Sequence, residues 1–282
     1  MPAKYPERIV CLTEESTETL YLLGEERRIV GISGYTVRPA RARRDKPRVS
    51  AFLSAKNEKI LALKPDLVIG FSDLQADIAR DLAKAGLNVL IFNQCSVDEI
   101  LSMILALSSL VGATEKGLAL IKGLEQGLAE IRAAARRFAR RPKVYFEEWD
   151  EPMISAIRWV SELIEIAGGA DVFPDRSRSP AAAGRIVSAD EVREKNPDVI
   201  IGSWCGKKFR PDRVAARPGW EAIPAVRDGE IHEVKSPLIL QPGPAALTDG
   251  LDALHAIVAA WARRESTLTP ALSQGRGRTR AA

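Results

Sequence analysis

Apolar and polar positions alternate along most of the chain in a way that predicts short buried strands separated by amphipathic helices. In the first part, the predicted strands are RIVCLT (8–13), RIVGIS (28–33), DLVIGF (66–71) and NVLIF (88–92). The predicted helices begin at Ser16, cover residues 57–64 with Asn57 as N-cap, cover residues 73–86, and run from a Ser96/Glu99 capping box to Gly112. This alternation indicates βα units and a mainly parallel sheet.

One long helical pattern, from Thr114 to about Arg140, interrupts the alternation, which resumes after it. The later strands are predicted at 143–148, 198–204 and 230–234, and the later helices at 159–169, from a Ser188/Glu191 capping box, and after Pro244. We therefore expect an α/β protein with two Rossmann-like lobes, residues 1–113 and 142–265, joined by a connecting helix over 114–141. Residues 266–282, rich in Gly, Ser, Thr, Pro and Arg, are predicted to be disordered.

Two segments of the chain echo each other and support two related lobes. NEKILALKPDLVIG (57–70) and ADEVREKNPDVIIG (189–202) each combine a short helix, a Pro-Asp turn and an apolar strand that ends in glycine. A single helix–turn–strand unit would be unremarkable in any α/β protein. The shared turn and strand sequence favours two lobes of one design.

The composition argues against some classes of function but does not indicate one. The chain has 282 residues, 46% of them hydrophobic, and a net charge of only +4. The basic run over 37–48 lacks the interleaved aromatics of a nucleic-acid surface, so no nucleic-acid partner is expected. No apolar run is long enough for a membrane span, and the N-terminus shows no signal peptide. We expect a cytoplasmic monomer; the alternative is a periplasmic protein whose export signal has been removed.

The carboxyl ends of the predicted strands define the candidate site, because ligands of open α/β sheets bind there. The side chains at or beyond these ends that we select are Glu15, Tyr35, Phe71, Glu148, Trp149, Trp204, Cys205, Lys207 and Gln241. We expect them to face a cleft between the lobes. Aromatic rings mixed with polar groups suit a large ligand with flat apolar faces and hydrogen-bonding edges.

Catalytic chemistry finds little support in the sequence. Glu147 and Glu148 are adjacent in a strand and point to opposite faces, so they make a poor acid/base pair. No Ser/His/Asp, zinc or phosphate-loop pattern occurs. We expect a binding protein without a catalytic cofactor or bound metal. An enzyme or metal site that uses Cys205 with Glu147 or Glu148 is the second alternative.

The motifs ILALKPDLVIG (60–70), EEWDEPMISA (147–156), WVSELIEIAGGADVF (159–173) and DVIIGSWCGKK (198–208) resemble the class III substrate-binding proteins of ABC importers, and among them the cobalamin-binding members. The resemblance covers roughly residues 8–264. It implies a cobalamin-like corrinoid, vitamin B12 or a relative, held between the lobes and handed to an importer permease. By motif position it adds Phe52 and Trp159 to Tyr35 and Trp204 as ligand contacts, and Glu58 and Asp190 as transporter-docking acids.

The same resemblance leaves two other ligands open. Haem would favour an axial His or Tyr, and Tyr35 is available. A ferric siderophore would favour arginines at the mouth of the site, such as Arg38, Arg41 or Arg158. A cobalt-coordinating Cys205 is a further hypothesis within the corrinoid interpretation.

Overall fold

The apolar runs of the first part of the chain form a five-stranded, all-parallel sheet in the computed structural model, which describes residues 4–274. The strands are β1 Ile9–Cys11, β2 Ile29–Ser33, β3 Arg48–Ser50, β4 Leu67–Phe71 and β5 Val89–Phe92. Their order is β3-β2-β1-β4-β5, a doubly wound arrangement. The sequence did not predict β3, because only Val49 is apolar there and it follows the basic run.

The helices of this part are α1 Glu14–Leu22, α2 Ala42–Asp45, α3 Asn57–Ala62, α4 Ala76–Lys84, α5 Val97–Leu110 and α6 Thr114–Ala135. The Ser96/Glu99 capping box is present at the start of α5, as predicted. Asn57 is the first residue inside α3 rather than its N-cap, and the preceding Lys56 provides no side-chain cap. A short 3-10 turn, Asp73–Gln75, lies between β4 and α4.

The second sheet is built around one long strand that carries the acidic stretch of the sequence. Its strands are β6 Lys143–Asp150, β7 Met153–Ser155, β8 Ala170–Asp171, β9 Val199–Gly202 and β10 Ile231–Glu233. The order is β10-β9-β6-β7, with β8 also paired to β6. All pairs are parallel except the β6–β7 hairpin. This hairpin, in which Trp149 lies opposite Ile154, explains why β6 continues through the carboxylates to Asp150.

The remaining helices are α7 Arg158–Ala167, α8 Pro174–Ser177, α9 Ala189–Lys195, α10 Pro211–Ala215, α11 Pro224–Arg227, α12 Ser236–Ile239 and α13 Leu251–Gln274. The Ser188/Glu191 capping box begins α9, as predicted. The two echoing segments fold alike, since α3 leads into β4 and α9 leads into β9. Apolar residues of each sheet pack under its helices, and burying each large side chain contributes roughly 1.5–3 kcal/mol.

The chain divides into two compact units. The first runs to Gln126 and also contains the later segment Gln241–Leu247, which we call the return segment. The second contains Gly127–Leu240 and the chain from Thr248 onwards. Helix α13 extends to Gln274, so it includes part of the tail that was predicted to be disordered. Backbone carbonyls within the helix accept hydrogen bonds from the Ser266 and Thr267 hydroxyls there. Residues 275–282 of that tail lie outside the described residues.

Candidate functional site

Large apolar side chains are exposed where β2, β3 and β4 end. Tyr35 is 62% exposed, Leu53 67% and Leu74 60%, while Phe52 and Phe71 are half-buried. We call these five residues the apolar platform. Gln75 joins two of its parts, because its amide donates to the Phe52 carbonyl and accepts from the Phe71 N–H, each at 3.0 Å. This grouping is a candidate interaction site, because large exposed apolar patches mark such sites in soluble proteins.

Three glutamates at the start of α1 lie beside the loop that carries Tyr35. Glu14, Glu15 and Glu18 are 3%, 2% and 7% exposed. Glu14 Oε2 accepts hydrogen bonds from the backbone N–H groups of Val37 and, at 3.0 Å, Arg38. Glu18 accepts from Arg38 Nε at 2.9 Å. Glu14 and Glu18 therefore hold the Tyr35 loop against α1.

The return segment packs against the same helix. The Ala245 N–H donates to Glu18 Oε2 at 3.1 Å, and the Pro242 carbonyl accepts from Gln94 Nε2 at 2.9 Å. Gly243 leaves no space between itself and Glu15, because a β-carbon there would lie 2.5 Å from Glu15 Cβ. Gln241, a predicted ligand contact, is half-buried in this segment.

The buried carboxyl groups have unusual proton affinities. Burial raises the pKa of Glu14 and that of Glu15 to about 7, against opposing hydrogen bonds from Val37 and Arg38 to Glu14 and from Thr13 to Glu15. Among the described residues, Glu14 Oε1 and Glu15 Oε2 have no hydrogen-bond partner, nor do Thr36 Oγ1 and Gln94 Oε1. This edge of the first unit is thus rich in hydrogen-bond acceptors.

In the second unit, by contrast, the carboxylates of β6 are paired with donor side chains. Glu147 is fully buried and receives hydrogen bonds from both Arg217 Nη atoms, at 2.5 and 2.9 Å. The Tyr145 hydroxyl and Trp204 Nε1 each donate to it at 3.0 Å. Four donors therefore surround the carboxylate that the enzyme or metal-site alternative would have paired with Cys205, and Glu147 has a structural role.

The other acids of this stretch are also paired within the unit. Glu148 forms a bidentate ion pair with the buried guanidinium of Arg185. Asp150 pairs with Lys207. The Lys207 ammonium also lies over the Trp149 ring, 4.1 Å from its centroid, and 5.0 Å from that of Trp204. Lys207 thus covers indole faces that were predicted to meet a ligand.

The other predicted contacts of the second unit differ in exposure. Trp159 and Trp204 are each 3% exposed, and Trp159 Nε1 donates to the Ile239 carbonyl at 2.8 Å. Both have packing roles here, and ligand contact by either stays a prediction. Cys205 is exposed, but desolvation of its thiol and the Glu148 carboxylate raise the pKa of that thiol. A raised pKa disfavours the thiolate that a nucleophile or metal ligand needs.

Glu58 and Asp190, the predicted docking acids, are exposed on α3 and α9. Asp190 forms an ion pair with Arg193 at 3.0 Å. Sequence reasoning missed Leu53 and Leu74, although an apolar residue inside a polar loop is a usable signal. It also missed Arg185 and Arg217, whose partners are remote in the sequence, and Gln75, one of whose two partners, Phe52, is 23 residues away.

Comparison with known proteins agrees with this architecture. The family model described as "Periplasmic binding protein" matches residues 9–238. The chain belongs to the periplasmic binding protein family. A vitamin B12-binding protein of Vibrio cholerae is 29% identical over 251 residues, covering 86% of this chain and 85% of that protein. The chain is a substrate-binding protein of the class III type, as its motifs predicted.

Two other relatives widen the comparison. The "Uncharacterized ABC transporter substrate-binding lipoprotein YvrC" of Bacillus subtilis is 26% identical over 261 residues, covering 89% of this chain and 79% of that protein. The periplasmic heme-binding protein RhuT of Roseiflexus has a TM-score of 0.73 and 26% identity, covering 89% of this chain and 99% of the solved chain. Relatives of this chain therefore bind different ligands, vitamin B12 in one case and heme in another.

The predicted cytoplasmic location is wrong. The family is one of periplasmic binding proteins, and one relative is a lipoprotein, so the comparisons point outside the cytoplasm. Across the helices that the structure describes, none combines the length and apolarity that a bilayer span requires. Proteins of this family serve transport by binding rather than catalysis.

Proposed function

We propose that this protein binds a corrinoid on the apolar platform of its first unit and carries it to an ABC importer permease. The platform carries the proposal, because three of its large apolar side chains are more than half exposed and two are half-buried, which is more apolar surface than a small polar solute needs. The relatedness to vitamin B12-binding proteins supports the same ligand class.

The acidic character of the neighbouring residues supports a corrinoid over haem. Glu14, Glu15 and Glu18 lie close to the loop that carries Tyr35, and two of their oxygens accept no hydrogen bond from the described protein. The rim of a corrinoid carries uncharged amide groups, which this cluster of carboxyl groups does not repel. Haem carries carboxylates, which acceptors and negative charges repel.

Axial ligation gives a second reason. The chain has two histidines, and both are engaged in the second unit: His232 with Glu230 at 2.9 Å, and His255 with the Ala167 carbonyl at 3.0 Å. Haem iron would therefore depend on Tyr35. A corrinoid keeps its cobalt within its own ring nitrogens and can bind by its faces and rim alone.

A ferric siderophore is supported less. The arginines that would meet an anionic siderophore each pair with a glutamate: Arg38 with Glu18, Arg41 with Glu26, and Arg158 with Glu162, at 2.9, 3.0 and 2.9 Å. Recognition of an anion would require these pairs to be broken. Haem thus remains the alternative that Tyr35 allows.

The decisive experiment is a titration of the purified protein with cyanocobalamin, aquacobalamin and haemin, followed by absorbance and calorimetry. We expect corrinoid binding in the micromolar range or tighter, about −8 kcal/mol or better. Tyr35→Phe should leave corrinoid affinity within about threefold of wild type, because it removes a hydroxyl and keeps the ring. Cys205→Ala should leave the cobalt absorption bands of the complex unchanged.

Other outcomes assign other functions. Haemin binding that Tyr35→Phe abolishes, without corrinoid binding, would establish the haem alternative. Loss of the cobalt band shift in Cys205→Ala would show coordination by that thiol. Delivery to a permease is tested separately: Glu58→Lys and Asp190→Lys should reduce ligand uptake by cells while leaving the affinity of the purified protein unchanged.

A further inference from the structure

Gln75 is a fully buried residue next to the apolar platform. It ends the 3-10 turn that follows β4, and its solvent exposure is 0%. A buried primary amide is costly unless both its oxygen and its nitrogen find hydrogen-bond partners. In Gln75 both do, and the partners are backbone groups rather than other side chains.

The two hydrogen bonds connect the loop after β3 to the end of β4, although these two strands are not neighbours in the sheet. Gln75 Nε2 donates to the Phe52 carbonyl, in the loop after β3, and Gln75 Oε1 accepts from the N–H of Phe71, the last residue of β4. In the strand order, β2 and β1 lie between β3 and β4. One side chain therefore links two aromatic residues of the platform across two intervening strands.

The position of the Gln75 amide also depends on the absence of a side chain at residue 70. A β-carbon on Gly70 would lie 2.5 Å from Gln75 Oε1 and 2.7 Å from Ile91 Cδ1. Any residue with a side chain at position 70 would therefore push the amide away from Phe71. The absence of a side chain at Gly70 thus provides the space that the Gln75 amide occupies.

We propose that Gln75 is a positioning residue, which sets the separation of Phe52 and Phe71 and thereby the shape of the surface that receives a flat macrocycle. This inference rests on the function proposed above. Gln75 has no exposed atoms with which to meet the ligand, so its effect on binding passes through the two aromatic residues. Loss of the amide should loosen the Phe52 loop without unfolding the sheet.

The test compares Gln75→Leu, Gln75→Glu and the control Asn88→Ala. The side chain of Asn88 also donates to a backbone carbonyl, that of Asp66 at 3.0 Å, but at the opposite ends of β4 and β5. We expect Gln75→Leu to weaken cyanocobalamin binding about tenfold or more, because it leaves the Phe52 carbonyl and the Phe71 N–H unpaired. Asn88→Ala should bind as wild type does.

Gln75→Glu distinguishes positioning from a general loss of stability. A carboxylate cannot donate to the Phe52 carbonyl, whereas a protonated carboxyl group can, so the affinity relative to wild type should recover between about pH 8 and about pH 5.5. Hydrogen exchange of the Phe71 N–H in the free protein should be faster in Gln75→Leu and unchanged in Asn88→Ala.

Failure of the positioning role can be told apart from failure of the proposed function. Wild-type affinity in Gln75→Leu, with faster Phe71 exchange, would overturn the positioning role and leave the proposed function standing. Weaker binding without recovery in Gln75→Glu at the lower pH would also overturn it. If the wild type binds haemin instead of cyanocobalamin, the same variants are measured with haemin. If the wild type binds neither, the proposed function fails and the inference falls with it.

Discussion

The carboxyl ends of the two sheets carry similar residue types in opposite states. At the first sheet, aromatic rings and leucines are exposed, and buried glutamate oxygens lack protein partners among the described residues. At the second sheet, Glu147, Glu148 and Asp150 are each paired with a cation, and Lys207 covers the Trp149 ring. The first edge leaves apolar side chains exposed and polar atoms unpartnered, whereas the polar groups of the second edge are largely paired with one another.

This difference shows that the type of a residue at a strand end does not determine the role of that residue. A carboxylate with four donors, such as Glu147, stabilises its own unit and offers little to a ligand. Carboxyl groups with an unused oxygen, such as those of Glu14 and Glu15, keep hydrogen-bonding capacity. The following predictions test the contrast, from the largest expected effect to the smallest.

Removal of the Glu147 partner should have the largest effect on stability. Arg217→Met leaves a fully buried carboxylate without its cation, which should lower the free energy of unfolding by about 3–5 kcal/mol. Urea denaturation measures this change. Adding Glu147→Gln to Arg217→Met should recover much of the loss.

The exposed pair Arg210–Asp212 supplies the control. Arg210→Met should change stability far less than Arg217→Met does, because solvent screens that pair. Equal effects of Arg210→Met and Arg217→Met would show that the buried network of the second unit does not stabilise it.

The glutamates of the first unit should make stability depend on pH. Their raised pKa values mean that the folded state holds protons more tightly than the unfolded chain does, so this contribution is complete below about pH 4.5 and is lost as the pH rises to about 7. Glu15→Gln keeps an uncharged group at every pH. At pH 8 it should therefore be more stable than wild type by about 1–3 kcal/mol, with a smaller difference near pH 4.5.

Thermal unfolding across this pH range is the measurement. Glu99→Gln is a suitable control, because Glu99 belongs to the capping box of α5 and is not part of the buried cluster. A wild-type stability that rises between pH 4.5 and 7, with no change in Glu15→Gln, would contradict the assignment.

The smallest predicted effect concerns Lys207. Lys207→Ala removes two cation–π contacts and one ion pair, so stability should fall by about 0.5–1 kcal/mol. All five tryptophans lie in the second unit, and their fluorescence should report the uncovered Trp149. Cyanocobalamin affinity should change less than about threefold. A large loss of affinity would instead give the second unit a direct part in binding.

The repeating elements of the fold could be predicted from the sequence because their signals are local. The capping boxes at Ser96 and Ser188 begin α5 and α9, and the predicted apolar runs form β1, β2, β4, β5, β6, β9 and β10. Strand β7 escaped prediction because it is three residues long and owes its existence to pairing with β6.

The site could be predicted only in part. Strand-end positions selected Tyr35 and Phe71, and the family resemblance added Phe52; all three lie in the apolar platform, and their contact with a ligand stays a prediction. Neither the strand ends nor the resemblance could show that Trp204 donates to Glu147, 57 residues away, or that Lys207 lies over the Trp149 ring. Those relations arise when distant segments pack together, and no periodicity records them.

The central claim is that the apolar platform binds the ligand, and calorimetry with cyanocobalamin tests it most directly. The double variant Phe52→Ser/Leu53→Ser should weaken binding roughly hundredfold, through the loss of apolar contact area. Leu22→Ser/Leu118→Ser removes two leucines that are 54% and 46% exposed away from the platform, and it should bind as wild type does. Equal affinity of both double variants and the wild type would contradict the account.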